Sequence, residues 1–448
     1  MEIALLRPWY HTHLITPQLG LGYLSSYLRE QGIGAALIDG LNQGLSREDL
    51  LARCRPFPVV GISCLSDYFP EVADVSRALK EMGKTVIIGG PHATALPALT
   101  LERTGADYVV VGEGEVTLHE LLRALEGGGR PELVPGVFSR ENRSPARRGL
   151  IEDLDRIPFP DWEQMDPRTY QKAPHGAFIK RFPVAPVITT RGCPFDCSFC
   201  ASPALWERTI RFRSPESIIA EIERLVRDFG VREIHFEDDN LTLRREHIEG
   251  VCELLLSRDL KISWAAPNGV RVDTLDRGLL KLMKRSGCYM LAFGLESGNQ
   301  AILDRVRKRA DLATIRSAID SARREGIITQ GFFIFGLPGE TEATIRETIA
   351  FAKDSGLDRA QFLLLDVLPG SRLWDELGGD LSRFGEQRSY QQVTWCPPTV
   401  DREVLAGAPG RAFRSFFFRP RPLFKLIRMM RPAQIRYIIR RIRDFGIF

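Results

Sequence analysis

Three thiols crowd one short segment. In Arg191-Gly-Cys-Pro-Phe-Asp-Cys-Ser-Phe-Cys200, the residues Cys193, Cys197 and Cys200 follow a CxxxCxxC spacing. Eight cysteines in 448 residues are too sparse for a disulfide scaffold, so this crowding points to metal or redox chemistry. Thiolates are the ligands of iron–sulfur clusters, and ferredoxin-type clusters take four. Only three are local here. A 4Fe–4S cluster on these three keeps one iron without a protein ligand, and open coordination positions are where metal centres do chemistry. That iron could chelate a small molecule through an amino group and a carboxylate. Zinc is the competing ion, but it wants four tetrahedral ligands and no paired Cys or His follows at zinc-knuckle spacing. The next histidine downstream, His235, falls inside a strand-like run.

The elements around this segment alternate. Short apolar runs at 2–6, 35–38, 59–62, 85–88 and 108–111 are separated or followed by amphipathic stretches at 19–31, 70–82 and 116–126. Strands bounded by helices of this length predict βαβ units and a parallel, Rossmann-like sheet. A second series places strands at 186–190, 233–237, 262–266, 289–294, 331–335 and 361–365, with helices at 215–228, 312–324 and 341–352. Six βα units are fewer than the eight of a closed barrel, so an α/β fold with a partial (β/α)6 barrel is expected. The cysteines follow its first strand. The expected domains are 1–130, a Pro- and Arg-rich linker at 131–184, the barrel at 185–375 and a C-terminal region at 376–448. Ligands in both architectures collect at the carboxyl ends of the strands.

The cysteine spacing after a first barrel strand resembles the signature of the radical S-adenosylmethionine (SAM) superfamily. The resemblance implies that the cluster donates an electron to bound SAM, releasing methionine and a 5′-deoxyadenosyl radical that abstracts hydrogen from an inert carbon. It makes Phe199 the aromatic residue near the adenine. Gly294-Leu-Glu-Ser-Gly298 and Gly331-Phe-Phe-Ile-Phe-Gly-Leu-Pro-Gly-Glu340 fit the family's fourth- and fifth-strand segments. They nominate Glu296, Ser297, Gly298, Gly336 and Pro338 as SAM contacts. Taken alone each could be a glycine-rich turn. Glu237-Asp-Asp-Asn240 and Arg271 are either SAM or substrate contacts, or Asp239 and Asn240 cap a helix.

The first domain adds a second resemblance. Pro17-Gln-Leu-Gly-Leu-Gly-Tyr-Leu24, Val60-Gly-Ile-Ser63, Ile87-Ile-Gly-Gly-Pro-His-Ala93, Asp107-Tyr-Val-Val-Val-Gly-Glu-Gly-Glu115 and Leu154-Asp-Arg-Ile-Pro-Phe-Pro160 resemble the cobalamin-binding class of radical SAM enzymes. The likeness spans roughly residues 1–375. It nominates Gly61, Ser63, Gly89, Gly90, Gly112 and Glu113 as cobalamin contacts, the glycines leaving room for a large flat ligand. No Asp-x-His-x-x-Gly is present to supply a histidine to cobalt, and His92 does not match that pattern. The lower face of the corrin is therefore expected to lack a histidine. A domain that has lost cobalamin is the alternative. Methylthiotransferases need three further cysteines in this domain, which holds only Cys54 and Cys64. Cys252, Cys288 and Cys396 read as ordinary thiols, although Cys288 and Cys396 could line the active site.

Bulk composition is that of a globular protein, with 44% hydrophobic and 26% charged residues. The net charge of +4 is unevenly spread: residues 411–448 carry ten Arg, one Lys and the single acid Asp444, or +10. The rest of the chain is mildly acidic. Ile435, Ile438, Ile439 and Ile442 recur at helical spacing. The simpler reading packs this stripe on the barrel with solvated arginines; the other is contact with the inner face of a membrane. No secretory signal and no span of the ~20 apolar residues that cross a bilayer is visible, so a cytoplasmic protein is expected. No nucleic-acid module is recognised.

Together the resemblances imply a class B-like radical SAM C-methyltransferase acting on an unactivated carbon of a lipid or natural product through a 5′-deoxyadenosyl radical and methylcobalamin. Its cofactors would be a 4Fe–4S cluster, SAM and cobalamin. Flavodoxin or ferredoxin would serve as external electron donor. The alternatives are an oxidase or cyclase using the same cofactors and, in another class, a non-catalytic cobalamin or redox sensor.

Overall fold

The computed structural model describes residues 1–448 except 13, 173–178, 382–390, 421, 425–433, 436–438 and 440–448. The chain divides into two compact units. The first comprises residues 1–171, 201–211 and 368–388, the second residues 172–200, 212–367 and 389–448.

In the first unit the apolar runs form β1 (Glu2–Arg7), β2 (Gly34–Asp39), β3 (Val59–Ser63), β4 (Thr85–Gly89) and β5 (Tyr108–Val110). They build one sheet in the order β2-β1-β3-β4-β5, all parallel. The order reverses at β1 and β3, which opens a crevice at their carboxyl ends. Helices Leu19–Glu30, Phe69–Glu81 and Gly114–Glu126 supply the covering faces. Leu21, Leu28, Leu118, Leu121 and Leu122 pack with Ile3, Leu5, Val59 and Ile87 in a common core.

The segment read as a linker is more ordered than its composition suggested. It contributes β6 (Val137–Ser139), antiparallel to β5 at the sheet edge. Further on, the buried Asp161 accepts hydrogen bonds from Ser25 Oγ at 2.7 Å and Arg29 Nη1 at 2.9 Å. That contact is close because residue 22 is glycine: a Cβ there would lie 2.1 Å from Met165 Cε and 3.0 Å from Pro160 Cβ. Residues up to 171 therefore belong to the first unit.

The second unit holds β7 (Val184–Val187) and then β8 (Thr190–Gly192); β9 (Ile210–Phe212) follows the cysteines in sequence, with Ile210 and Arg211 belonging to the first unit. The second unit continues with β10 (Glu233–Phe236), β11 (Ser263–Val270), β12 (Cys288–Glu296), β13 (Ile328–Phe335) and β14 (Arg359–Leu364). The first barrel strand thus ends at Val187, earlier than the expected 190. The sheet runs β7-β10-β11-β12-β13-β14, all parallel, with β7 and β14 as open edges. It is the partial six-stranded barrel. Helix Pro215–Phe229 illustrates its outer layer: Ser214 caps the start, Gly230 at φ +63° ends it, and Ile218, Ile219, Ile222 and Leu225 face inward.

Downstream, helix Ala408–Phe417 buries Ala412 and Phe416 against Phe335, Ile345 and Phe362. The tail stripe is only partly described. Ile435 and Ile439 are exposed, so at these two positions the expected packing on the barrel is not found; Ile438 and Ile442 lie outside the described residues. Among the described residues, no helix is long and apolar enough to cross a membrane.

Candidate functional site

The carboxyl ends of the second unit's strands gather the sequence-nominated residues. The loop after β8 carries Cys193, Cys197 and Cys200, each half-buried and free of disulfide bonds. A tight turn joins the last two, with Cys200 N donating to Cys197 O at 3.1 Å. Asn240, buried beyond the end of β10, brings its Nδ2 to 3.9 Å from Cys193 Sγ. Burial pushes the Cys197 thiol up, while the Lys308 ammonium opposes that shift. His235 is not near this chemistry: its Nε2 meets Glu233 Oε1 at 2.9 Å and Tyr289 OH at 3.4 Å.

Among the described residues, no three His, Cys, Asp or Glu side chains converge closely enough to hold a single metal ion. An iron–sulfur cube is wider than one ion, so its thiolates stand farther apart than the ligands of a zinc site. Three thiols outside any disulfide on one eight-residue loop, with a buried amide donor beside one of them, fit the larger group.

β12 reaches this region with a register shift between Gly294 and Glu296. Glu296 takes a left-handed φ of +64°, an uncommon conformation for a non-glycine residue and one that gathers at functional sites. Its carboxylate is buried and holds Lys308 Nζ at 2.7 Å. Ser297 and Gly298 make contacts within the protein. Ser297 Oγ lies 3.1 Å from Thr348 Oγ1, and Gly298 N donates to the same oxygen at 3.0 Å. A Cβ on Gly298 would stand 2.5 Å from Phe351 Cβ. These two residues pack the end of β12 against helix Glu342–Asp354.

Perturbed carboxyls lie at the same strand ends, Asp238 and Glu340 buried and Glu237 half-buried. Burial pushes Glu237 up to about 7 and Asp238 up to about 6. Asp238 stays raised although its Oδ1 accepts from Thr189 N, Thr189 Oγ1, Thr190 N and Thr190 Oγ1 at 2.5–2.9 Å. Those bonds fix the start of the cysteine loop. After β13, Gly336 at φ +94° donates its N–H to Glu340 Oε2 at 2.5 Å, and burial pushes Glu340 up to about 7. Phe199 and Pro338 are half-buried. Neither Asp239 nor Asn240 caps a helix: the next one, Arg245–Ser257, starts after Arg244. Arg271 is taken up by Asp273, the Lys308 and Arg309 carbonyls and the Phe195 ring. Cys288 is fully buried and Cys396 packs beside Val400 and Leu405, so both are ordinary thiols.

In the first unit, Ser63 ends β3 and accepts from Gln18 Nε2 at 2.8 Å. Tyr68, within 3.3 Å of the same amide, stacks on Tyr10 with centroids 4.3 Å apart. Gly90 has φ +106° and a Cβ there would lie 2.8 Å from Cys64 O, so only glycine fits. Gly112, at φ +82°, faces open space, and Gly89 is nearly as free. Two nominated residues have partners within the protein. Gly61 is buried in β3 against Leu5 and Ile3. Glu113 accepts from Ile151 N at 2.7 Å and pairs with Arg211 at 2.7 Å. His92 is a buried residue stacked on Phe69 and bonded to Ser66.

Residues 187–352 match the Radical SAM superfamily and residues 11–122 match the B12 binding domain. An uncharacterised methyltransferase from Pyrococcus horikoshii is 33% identical over 423 residues, covering 91% of this chain and 89% of the relative. An anaerobic magnesium-protoporphyrin IX monomethyl ester cyclase from Rubrivivax gelatinosus is 29% identical over 437 residues, covering 93% and 77%. Among solved structures, the radical SAM methyltransferase TsrM from Kitasatospora setae, with tryptophan and a SAM analogue bound, superposes with a TM-score of 0.72. It covers 96% of this chain and 89% of that one at 17% identity, a likeness of fold.

The chain belongs to the radical SAM superfamily, in the group that carries a B12-binding domain. It is a cobalamin-dependent radical SAM enzyme, with a 4Fe–4S cluster, SAM and cobalamin as its cofactors.

Proposed function

We propose that this enzyme transfers a methyl group to an unactivated carbon of a small-molecule or lipid substrate. One observation carries the reading: the similarity to the Pyrococcus horikoshii methyltransferase runs through nearly all of both chains. When bound, the cofactors supply the electron, the carbon-centred radical and the methyl group. The chain's part is to bind, orient and exclude water, since positioning governs such steps.

Cys193, Cys197 and Cys200 hold the cluster in this reading, and the half-buried loop limits water around it. SAM meets Glu296, Phe199, Gly336 and Pro338, while Ser297 and Gly298 lock Glu296 from behind through Thr348. Glu237, with its carboxyl near neutrality, accepts from an ammonium once ionised and stays a proton holder when not. In the first unit, Ser63, Gly89, Gly90 and Gly112 receive the corrinoid, with Gly61 and Glu113 shaping the strands behind them. An external reductant such as flavodoxin or ferredoxin feeds the cluster. The exposed Phe418, Phe424, Ile435 and Ile439, in a tail of net charge +10, support peripheral contact with an anionic membrane face. Loss of co-sedimentation with phosphatidylglycerol vesicles on Phe424→Ser would mark that contact; equal binding to neutral vesicles would count against it.

The full-length similarity to a cyclase favours a second reading, oxidation or ring formation without methyl transfer. Incubating the anaerobically reconstituted enzyme with CD3-labelled SAM and small-molecule extracts separates the two. A product carrying the labelled methyl supports methyl transfer; a product that has lost hydrogen without gaining the label supports the second reading.

A further inference from the structure

No sequence motif draws attention to Lys308, yet the backbone around it is unusual. Of the six described non-glycine residues with left-handed φ, three surround this side chain: Glu296 at +64°, Arg307 at +57° and Arg309 at +52°. Such conformations persist only where the surroundings enforce them.

The enforcement comes from the cysteine loop. Ser198 N donates to Val306 O at 3.0 Å. Asp196, between the first two cysteines, pairs with Arg307 Nη1 at 3.3 Å and Arg309 Nη2 at 2.9 Å. Arg271 stacks on Phe195 at 3.7 Å and donates to Lys308 O at 3.3 Å and Arg309 O at 2.8 Å. Both residues flanking Lys308 are thus anchored on Asp196. Lys308 itself turns inward, its side chain only 14% exposed, to meet Glu296 Oε1 at 2.7 Å. The space it fills exists because residue 294 is glycine: a Cβ there would stand 2.8 Å from Lys308 Nζ. At the Cys197 sulfur the Lys308 ammonium and the Glu296 carboxylate act in opposite directions.

We propose that Lys308 is a positioning residue: held by the Arg307–Arg309 turn and by Glu296, its ammonium sets the field at the Cys197 sulfur and thereby the reduction potential of the cluster. The inference rests on the reading that the three cysteines hold a 4Fe–4S cluster. Reduction adds one electron, and so one negative charge, to the cluster. A fixed cation nearby stabilises the reduced form more than the oxidised one, and a fixed anion does the reverse.

The test is a dithionite titration of anaerobically reconstituted full-length protein, without SAM, followed by EPR beside an iron count. Lys308→Met is expected to move the midpoint potential negative and Glu296→Gln to move it positive, with Lys308→Arg close to wild type. A purely structural role would not reverse sign between the two variants. Should Lys308→Met lose its iron, the positive shift of Glu296→Gln and the rescue by Lys308→Arg still decide. Full iron content with unmoved midpoints, or with both shifts in one direction, would overturn the inference alone. A wild-type chain that takes up no iron would remove the cluster reading and this inference with it.

Discussion

The two parallel sheets solve different problems at their carboxyl ends. In the first unit aromatic rings and glycines predominate there, and the charges that end β1 and β2, Arg7 and Asp39, are paired with each other at 2.5 Å. Tyr10 stacks on Tyr68, burial pushes the Tyr10 phenol up to about 12, and Gly90 and Gly112 occupy left-handed positions that cost glycine nothing. In the second unit the same location holds charge and strain. Glu237, Asp238 and Glu340 are pushed towards neutrality, and Glu296, Arg307 and Arg309 are non-glycine residues in left-handed backbone. A crevice of stacked rings and open glycines, with Arg7 and Asp39 paired to each other, suits a broad ligand bound by contact area. A cage of perturbed carboxyls and one buried ammonium suits ionic ligands and electron transfer. Similar βα architecture therefore carries separable binding tasks, and each can be broken without the other.

The largest effect is expected from Cys197→Ala, which should abolish the cluster while leaving corrinoid retention on gel filtration unchanged. Joint loss of both would mean that the tasks are not separable. Gly90→Val is the converse. It combines a forbidden φ with a 2.8 Å approach to Cys64 O and should cost the first unit more than about 3 kcal/mol, read by chemical denaturation. Corrinoid should be lost with iron retained.

Glu340→Gln probes the charged side more gently. The folded pKa of about 7 lies above the ordinary value of 4.5, so the folded state binds more protons than the unfolded one between these limits. Stability from this group is present below pH ~4.5 and lost as pH rises through ~7, by at most about 3 kcal/mol. The glutamine variant mimics the neutral acid and should flatten that loss, so its melting temperature should exceed wild type at pH 8 and match it near pH 5. A wild-type curve that is already flat would contradict the buried-acid account. Smallest is Ser63→Ala, which removes the acceptor of Gln18 Nε2 and should cost about 1 kcal/mol with a modest weakening of corrinoid retention.

What the sequence disclosed, and what it hid, follows from how local each feature is. The strands were legible because short apolar runs sit between helical stretches, and the cysteine loop because three thiols fall within eight residues. β6 was hidden in a Pro- and Arg-rich stretch because three residues, Val137–Ser139, carry no periodicity. Lys308 was hidden because its setting depends on Asp196, 111 residues from Arg307, and on backbone dihedrals that no residue type announces. Glycines are the hardest to read. Gly298 and Gly61 have the same lack of a side chain as Gly90, yet they make room for Phe351 and Leu5 rather than for a ligand. Glu113 is similarly hard to read, since its partner Arg211 lies 98 residues away.

The central claim is that Cys193, Cys197 and Cys200 hold a cluster with one iron open to SAM. Its most direct test is EPR of the dithionite-reduced, anaerobically reconstituted wild-type protein, with and without SAM, beside an iron and sulfide count. The account predicts a full 4Fe–4S complement and a reduced-cluster signal that changes when SAM is added. A protein without iron, or a cluster whose signal is indifferent to saturating SAM, would contradict it.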